Sequence, residues 1–190
     1  MVARGGAIRL EAGAEAPDFE VETVTGERVQ LSALRGKPVW LGFSRWASCP
    51  MCNYRIHQMI GEWPRRYEQR ELRHLNFSPS PPEKLQAYVL KQSPPFDLVS
   101  DVPQVHYKTY GLESSVAKGM NLDTITVTVK AMRMGLPGGP RLRFEGPAFR
   151  VPADFLIDRE GRIKVAYYGK KITESIPFDL VDSFLDQQRA

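Results

Sequence analysis

The chain has two cysteines, Cys49 and Cys52, separated by Pro50 and Met51. Sulfur attacks as the thiolate, and a free thiol is largely protonated near neutral pH, so a working cysteine needs local help. The two-residue gap lets the sulfurs meet in a small disulfide ring. It also lets Cys52 attack a mixed disulfide formed at Cys49. A Cys-x-x-Cys beside a strand–helix pattern reads as a redox motif in a cytoplasmic chain. The competing readings are a pair of inert buried thiols and a zinc site. Zinc takes four ligands, and the sequence carries no second Cys-x-x-Cys and no spaced histidine pair. Cys49 is therefore taken as nucleophile and Cys52 as resolving thiol.

Neighbouring side chains could serve the same chemistry. Arg45, four residues before Cys49, is a thiolate stabiliser or a surface arginine. Trp46 shields the disulfide, offers an apolar docking face, or simply packs. His57 lies five residues past Cys52, off its helix face, and reads as a solvated or core histidine; His74 and His106 have no distinguishing context.

The elements that must position the cysteines are legible around them. Pro38 to Phe43 is nearly all apolar, the pattern of a central strand covered on both faces. Pro50 suits the first turn of a helix, and Ile56, Met59, Ile60, Trp63 and Tyr67 continue with helical spacing. Pro64 kinks or ends that helix. Cys49 thus falls at a helix N-terminus, where unpaired N–H groups and roughly half a positive charge favour a thiolate. Phe19–Thr23 and Arg28–Leu31 alternate around Thr25-Gly26-Glu27 and predict a hairpin. Leu72–Phe77 and Phe96–Ser100 read as inner strands, Lys84–Leu90 as a helix opened by Ser80-Pro81-Pro82-Glu83, and Val105–Leu112 as a short helix. Ala153–Ile157 and Arg162–Tyr168 predict a second hairpin, followed by an amphipathic helix over Pro177–Leu185. Strands alternating with helices and closed by a hairpin describe an α/β sandwich with a mixed sheet. Val151-Pro152-Ala153 leads into the strand 153–157. Spacing alone leaves open whether Pro152 is an ordinary strand-start proline or a cis residue exposing backbone groups beside the cysteines.

At 190 residues the chain fits one domain. Residues 1–14, rich in Gly and Ala, read as a frayed N-terminus; 15–190 read as the domain, with an insertion over about 113–149. Apolar residues make up 42% and charged residues 25%, which argues against disorder. The net charge of +4 is spread among acidic residues without a basic block, so nucleic-acid binding has little support. No run approaches the ~20 apolar residues of a membrane span, and the first residues lack the apolar core of a signal peptide. A cytoplasmic location follows as the expectation.

Several segments resemble the AhpC/TSA peroxiredoxin-like branch of the thioredoxin superfamily. Ala16-Pro17-Asp18-Phe19 resembles its opening, and Arg28–Phe43 its first buried strand with the preceding turn. Phe43-Ser44-Arg45-Trp46-Ala47-Ser48-Cys49-Pro50-Met51-Cys52-Asn53 is similar to its active-site segment. Val99-Ser100-Asp101, Tyr110-Gly111-Leu112 and Val151–Asp158 resemble later elements. The resemblance implies a thioredoxin-like sandwich, with Pro152 cis and facing the cysteines as a substrate-binding residue beside Trp46. It also implies a thiol reductant such as a thioredoxin or glutathione system, with no metal or organic cofactor. Two departures stand out. Peroxiredoxins carry Pro seven residues and Thr or Ser three residues before the peroxidatic Cys, where this chain has Gly42 and Trp46. Thioredoxin's buried aspartate, which takes the proton of the inner Cys, has no counterpart in Val39–Phe43.

The leading expectation is thus a thiol–disulfide oxidoreductase acting on protein or small-molecule disulfides. A rival is a peroxidase, in which Cys49 becomes a sulfenic acid and Cys52 condenses with it, with Arg45 and Arg150 stabilising the departing oxygen. A third reading is a non-catalytic module binding a partner through Met120, Met132, Met134 and Leu136 of the insertion, with Lys118, Lys130 and Arg133 around them. A homodimer is compatible with the pattern without being demanded by it.

Overall fold

The protein is described by a computed structural model covering residues 8–112, 122–136 and 150–188. Its centre is β3 (Val39–Phe43), buried at every position. It pairs in parallel with β4 (Arg73–Ser78), which pairs in parallel with β5 (Asp97–Ser100). On its other side β3 runs antiparallel to β6 (Ala153–Ile157), and β6 to β7 (Ile163–Tyr168). The sheet order is β5-β4-β3-β6-β7. The first hairpin, β1 (Glu20–Glu22) and β2 (Arg28–Gln30), forms a separate two-stranded sheet.

Strand alternation sorts the core into two layers. Leu41, Phe43, Leu75, Phe77 and Phe155 pack with Phe19, Leu31, Tyr107 and Tyr110 on one face. Trp40 and Leu156 point to the other, against Ile56, Met59 and Trp63 of α1 (Pro50–Arg66), Leu85 of α2 (Pro82–Tyr88) and Val181, Phe184 and Leu185 of α5 (Phe178–Gln187). The short α3 (Val105–Thr109) caps the first face with Tyr107. Pro64 sits inside the last turn of α1, which runs on to Arg66.

One expectation meets a different structure. Residues 8–14 are tied down: Leu10 N–H donates to the Tyr168 hydroxyl (2.9 Å), Gly13 N–H to the Ile163 carbonyl (2.7 Å), and Leu10 packs on the core. Their Gly and Ala content hid this, because the backbone makes these bonds. The insertion contains a helix, α4 (Leu122–Arg133), lying against α1. Thr124 and Ala131 are buried on it, while Ile125, Val129, Met132 and Met134 are exposed. Lys118, Met120 and residues 137–149 of the insertion lie outside the described residues. Among the described residues, no helix is long and apolar enough to cross a membrane.

Candidate active site

Cys49 is the N-cap of α1, in extended backbone (φ −70°, ψ 118°), with Pro50 opening the first turn. Its Sγ accepts a hydrogen bond from Cys52 N–H at 3.4 Å, the bond expected of a capping side chain. The Cys52 Sγ accepts from Arg45 N–H, also at 3.4 Å. The two thiols are free, Cys49 with no exposed surface and Cys52 half-buried.

Arg45 is buried and reaches across the site. Its Nη1 lies 3.8 Å from Cys49 Sγ and 3.9 Å from Met51 Sδ, and its guanidinium stacks on the Trp46 ring at 4.3 Å. Burial pushes the Cys49 thiol up, and its bond to Cys52 adds to this, against the pull of Arg45. The hydrogen bond from Cys49 brings Cys52 down to about 7, with the Arg45 charge and the Arg45 and Trp46 backbone helping and burial opposing. The first ionisation of the pair therefore falls near neutrality and leaves the two sulfurs one proton between them.

The loop that carries Cys49 is strapped from below. Asn53, fully buried, donates from Nδ2 to the carbonyls of Ala47 (2.7 Å) and Cys49 (3.0 Å), while Gln92 Nε2 donates to its Oδ1 (2.8 Å). Ala47 N–H donates to Ser80 Oγ at 2.7 Å. From the opposite layer the Tyr107 hydroxyl approaches the Ser44 carbonyl (2.5 Å) and the Phe77 carbonyl (2.9 Å).

A cavity of about 40 Å³ opens beside Cys52, walled by Met51, Pro152, Arg55, His74, Asn76 and Asp154 among others. Its floor is Gly42, where a Cβ would come within 3.1 Å of His74 Cε1 and 3.6 Å of Asp154 Oδ1. Asp154 is buried and accepts from Trp40 Nε1 (2.9 Å) and Ile176 N–H (3.1 Å). Burial raises its pKa, opposed by the nearby Arg55 charge.

Arg45, Trp46, Cys49, Cys52 and Pro152 are thus gathered at one place. Arg150 is directed elsewhere: Nη2 donates to Gln104 Oε1 at 2.6 Å and the guanidinium lies 4.5 Å from the Tyr107 ring centroid. The Val151–Pro152 peptide is trans, as are all described peptide bonds. That corrects the cis geometry implied by the resemblance. Pro152 enters β6 in open chain rather than in a tight turn, its carbonyl accepting from Gly169 N–H at 2.9 Å, so nothing offsets the ordinary trans preference. His57 is exposed, the solvated one of its two readings, whereas His74 is a buried wall of the cavity. Asn53, Arg55 and Asp154 escaped sequence reading because each acts across elements; only the apolar run around Asp154 hinted that its carboxylate is enclosed.

A central mixed sheet, helices on both faces and a dithiol at the first helix after the middle strand define a thioredoxin-like protein. The chain belongs to the AhpC/TSA family, whose model matches residues 12–166. No curated protein matches it significantly in sequence. In structure it is similar to PrxQ from Xylella fastidiosa, solved as a cysteine-to-serine mutant (TM-score 0.66, 14% identity, covering 96% of this chain and 97% of that one). It is also similar to the peroxidoxin BcpB from Mycobacterium tuberculosis (0.64, 16%, 95% and 97%). A third neighbour is a protein from Chlorobium tepidum provisionally assigned as the thiol:disulfide interchange protein DsbE (0.58, 21%, 95% and 96%).

Proposed function

We propose that the chain is a thiol–disulfide oxidoreductase, with Cys49 as attacking thiol and Cys52 as resolving thiol. The observation that carries this reading is the reciprocal seating of the two sulfurs: each accepts a backbone N–H at 3.4 Å, at a helix N-terminus, under one buried arginine. The Cys49 thiolate attacks a disulfide R–S–S–R, forming a Cys49–S–S–R bond and expelling R–S⁻. Cys52 then attacks Cys49 Sγ, forming the Cys49–Cys52 bond and expelling the second R–S⁻; the dithiol is oxidised and the substrate reduced. Arg45 pulls both thiols down, opposing the burial that raises Cys49, and the enclosure of Cys49 makes local opening around it the first event. An external thiol, of the thioredoxin or glutathione kind, returns the pair to the dithiol. A cytoplasmic setting would keep it reduced between turnovers.

A second reading rests on Arg45 alone. A guanidinium 3.8 Å from Cys49 Sγ is placed to steady the oxygen leaving a hydroperoxide. Cys49 thiolate would give a sulfenic acid and an alcohol or water, and Cys52 would condense with it, releasing water. The experiment is a paired rate measurement on the reduced protein, with glutathione disulfide or a protein disulfide against hydrogen peroxide. Rapid exchange with slow peroxide oxidation supports the reductase; the opposite order supports the peroxidase. A cellular role that survives Cys49→Ser would overturn both in favour of partner binding.

A further inference from the structure

The residue between Pro50 and Cys52 brings a third sulfur to the site. Met51 lies in the first turn of α1, is half-buried, and forms part of the wall of the cavity beside Cys52. Its Sδ lies 3.9 Å from Arg45 Nη1, and the same nitrogen lies 3.8 Å from Cys49 Sγ. One guanidinium nitrogen therefore faces two sulfurs of different chemistry. A thioether is only a weak acceptor, so it competes little for the arginine, whose charge pulls both thiols down.

We infer that Met51 is an oxidation site through which a hydroperoxide turns the dithiol down, its sulfoxide oxygen drawing Arg45 away from Cys49. This regulation rests on the dithiol reading above and acts on the same site. In the step, a lone pair of Met51 Sδ attacks one oxygen of R–O–O–H. The S–O bond forms as the O–O bond breaks, and the second oxygen leaves with the proton as R–OH. The sulfur is oxidised by two electrons and the peroxide is reduced. The flexible apolar side chain becomes a polar one with an acceptor oxygen.

The surroundings of Arg45 make that change felt at Cys49. Arg45 is buried and its guanidinium stacks on Trp46 at 4.3 Å. Where water is excluded a hydrogen bond gains strength, and a charged donor prefers a close oxygen to a sulfur nearly 4 Å away. Nη1 must therefore shift toward residue 51 to meet the sulfoxide, and Cys49 loses part of the charge that favours its thiolate. Position also sets Met51 apart from the other described methionines. Met59 is enclosed in the core, while Met132 and Met134 are exposed on the surface. Met51 is the one among them whose sulfur meets an arginine that also touches a cysteine. The change is reversible, because two thiols can reduce a sulfoxide to the thioether, giving a disulfide and water.

The test exposes the protein, as its Cys49–Cys52 disulfide, to hydrogen peroxide and then restores the thiols briefly with dithiothreitol. Mass spectrometry of the peptide holding Met51 should show one added oxygen. The rate of exchange with glutathione disulfide is read at about pH 6, below the midpoint of the thiol pair. It should fall about threefold, a smaller thiolate fraction being partly offset by greater nucleophilicity. It should recover after treatment with a methionine sulfoxide reductase. Met51→Leu should keep its own untreated rate after the same exposure. Met51→Gln, with a permanent carbonyl acceptor at residue 51, should be slower than Met51→Leu before any peroxide is added. A Met51 that stays unoxidised while Met132 and Met134 gain oxygen overturns the inference. So does a Met51 sulfoxide that exchanges at the untreated rate, or equal slowing by peroxide in Met51→Leu. Failure of untreated wild type to exchange, or exchange that persists in Cys49→Ser, overturns the dithiol reading, and this regulation with it.

Discussion

One shared proton governs the reactivity of the two sulfurs. Cys52 sits at about 7 chiefly because Cys49 donates to it, so alkylation of the reduced protein by iodoacetamide should rise with pH around a midpoint near 7. An unperturbed thiol titrates nearer ~8.5. Cys49→Ala removes the donor and should move the midpoint of the remaining thiol upward. Arg45→Gln should move it the same way in the wild-type pair, because the guanidinium acts on both sulfurs. A midpoint that stays near 7 in Arg45→Gln would remove Arg45 from the account. Much of this part of the site was legible in the sequence, because Arg45, Trp46, Cys49 and Cys52 lie within one short segment and local chain geometry brings them together. The state of Pro152 was not. It was inferred from a resemblance, and the surrounding open chain gives a trans peptide.

At the scale of elements, α1 holds the site only because its first turn is bolted to the loop before it. Asn53 supplies the bolt, with its amide joined to Ala47, Cys49 and Gln92. Asn53→Ala strands buried carbonyls and should cost about 1–3 kcal/mol, seen as a lower midpoint in urea unfolding. It should also make the reactivities of Cys49 and Cys52 more alike as the loop loosens. The strands and helices themselves followed from periodicity: Val39–Phe43 as an inner strand and Ile56, Met59 and Trp63 as a buried helix stripe. What periodicity does not give is register. Asp154 gains its meaning from lying opposite Gly42, and His74 from lying opposite Trp40. Both are consequences of strand pairing between segments far apart in the chain.

Across the whole molecule, a polar seam runs under α1 through a sheet face that is otherwise apolar. His74 is the member with the clearest thermodynamic signature. Its Nδ1 lies 2.9 Å from the Trp40 carbonyl, Nε2 has no hydrogen-bond partner among the described residues, and burial lowers its pKa to about 3. The unfolded chain binds a proton there near ~6.5, and the native state does so only near 3. Stability is therefore lost as pH falls from about 6.5 toward 3, by up to ~1.4 kcal/mol per pH unit. Asp154, raised by burial, acts in the opposite sense and reduces the net slope. Urea unfolding across that window should show a steeper decline for wild type than for His74→Phe. Parallel curves would mean that His74 is solvated in the native state.

The central claim is that Cys49 attacks and Cys52 resolves. Its most direct measurement is mass spectrometry of wild type, Cys49→Ser and Cys52→Ser after brief exposure to excess glutathione disulfide. Wild type should finish as the internal disulfide with no adduct. Cys52→Ser should retain one glutathione, mapped to Cys49, and Cys49→Ser should retain far less. An adduct that accumulates on Cys49→Ser while Cys52→Ser stays bare would contradict the account and make Cys52 the attacking thiol.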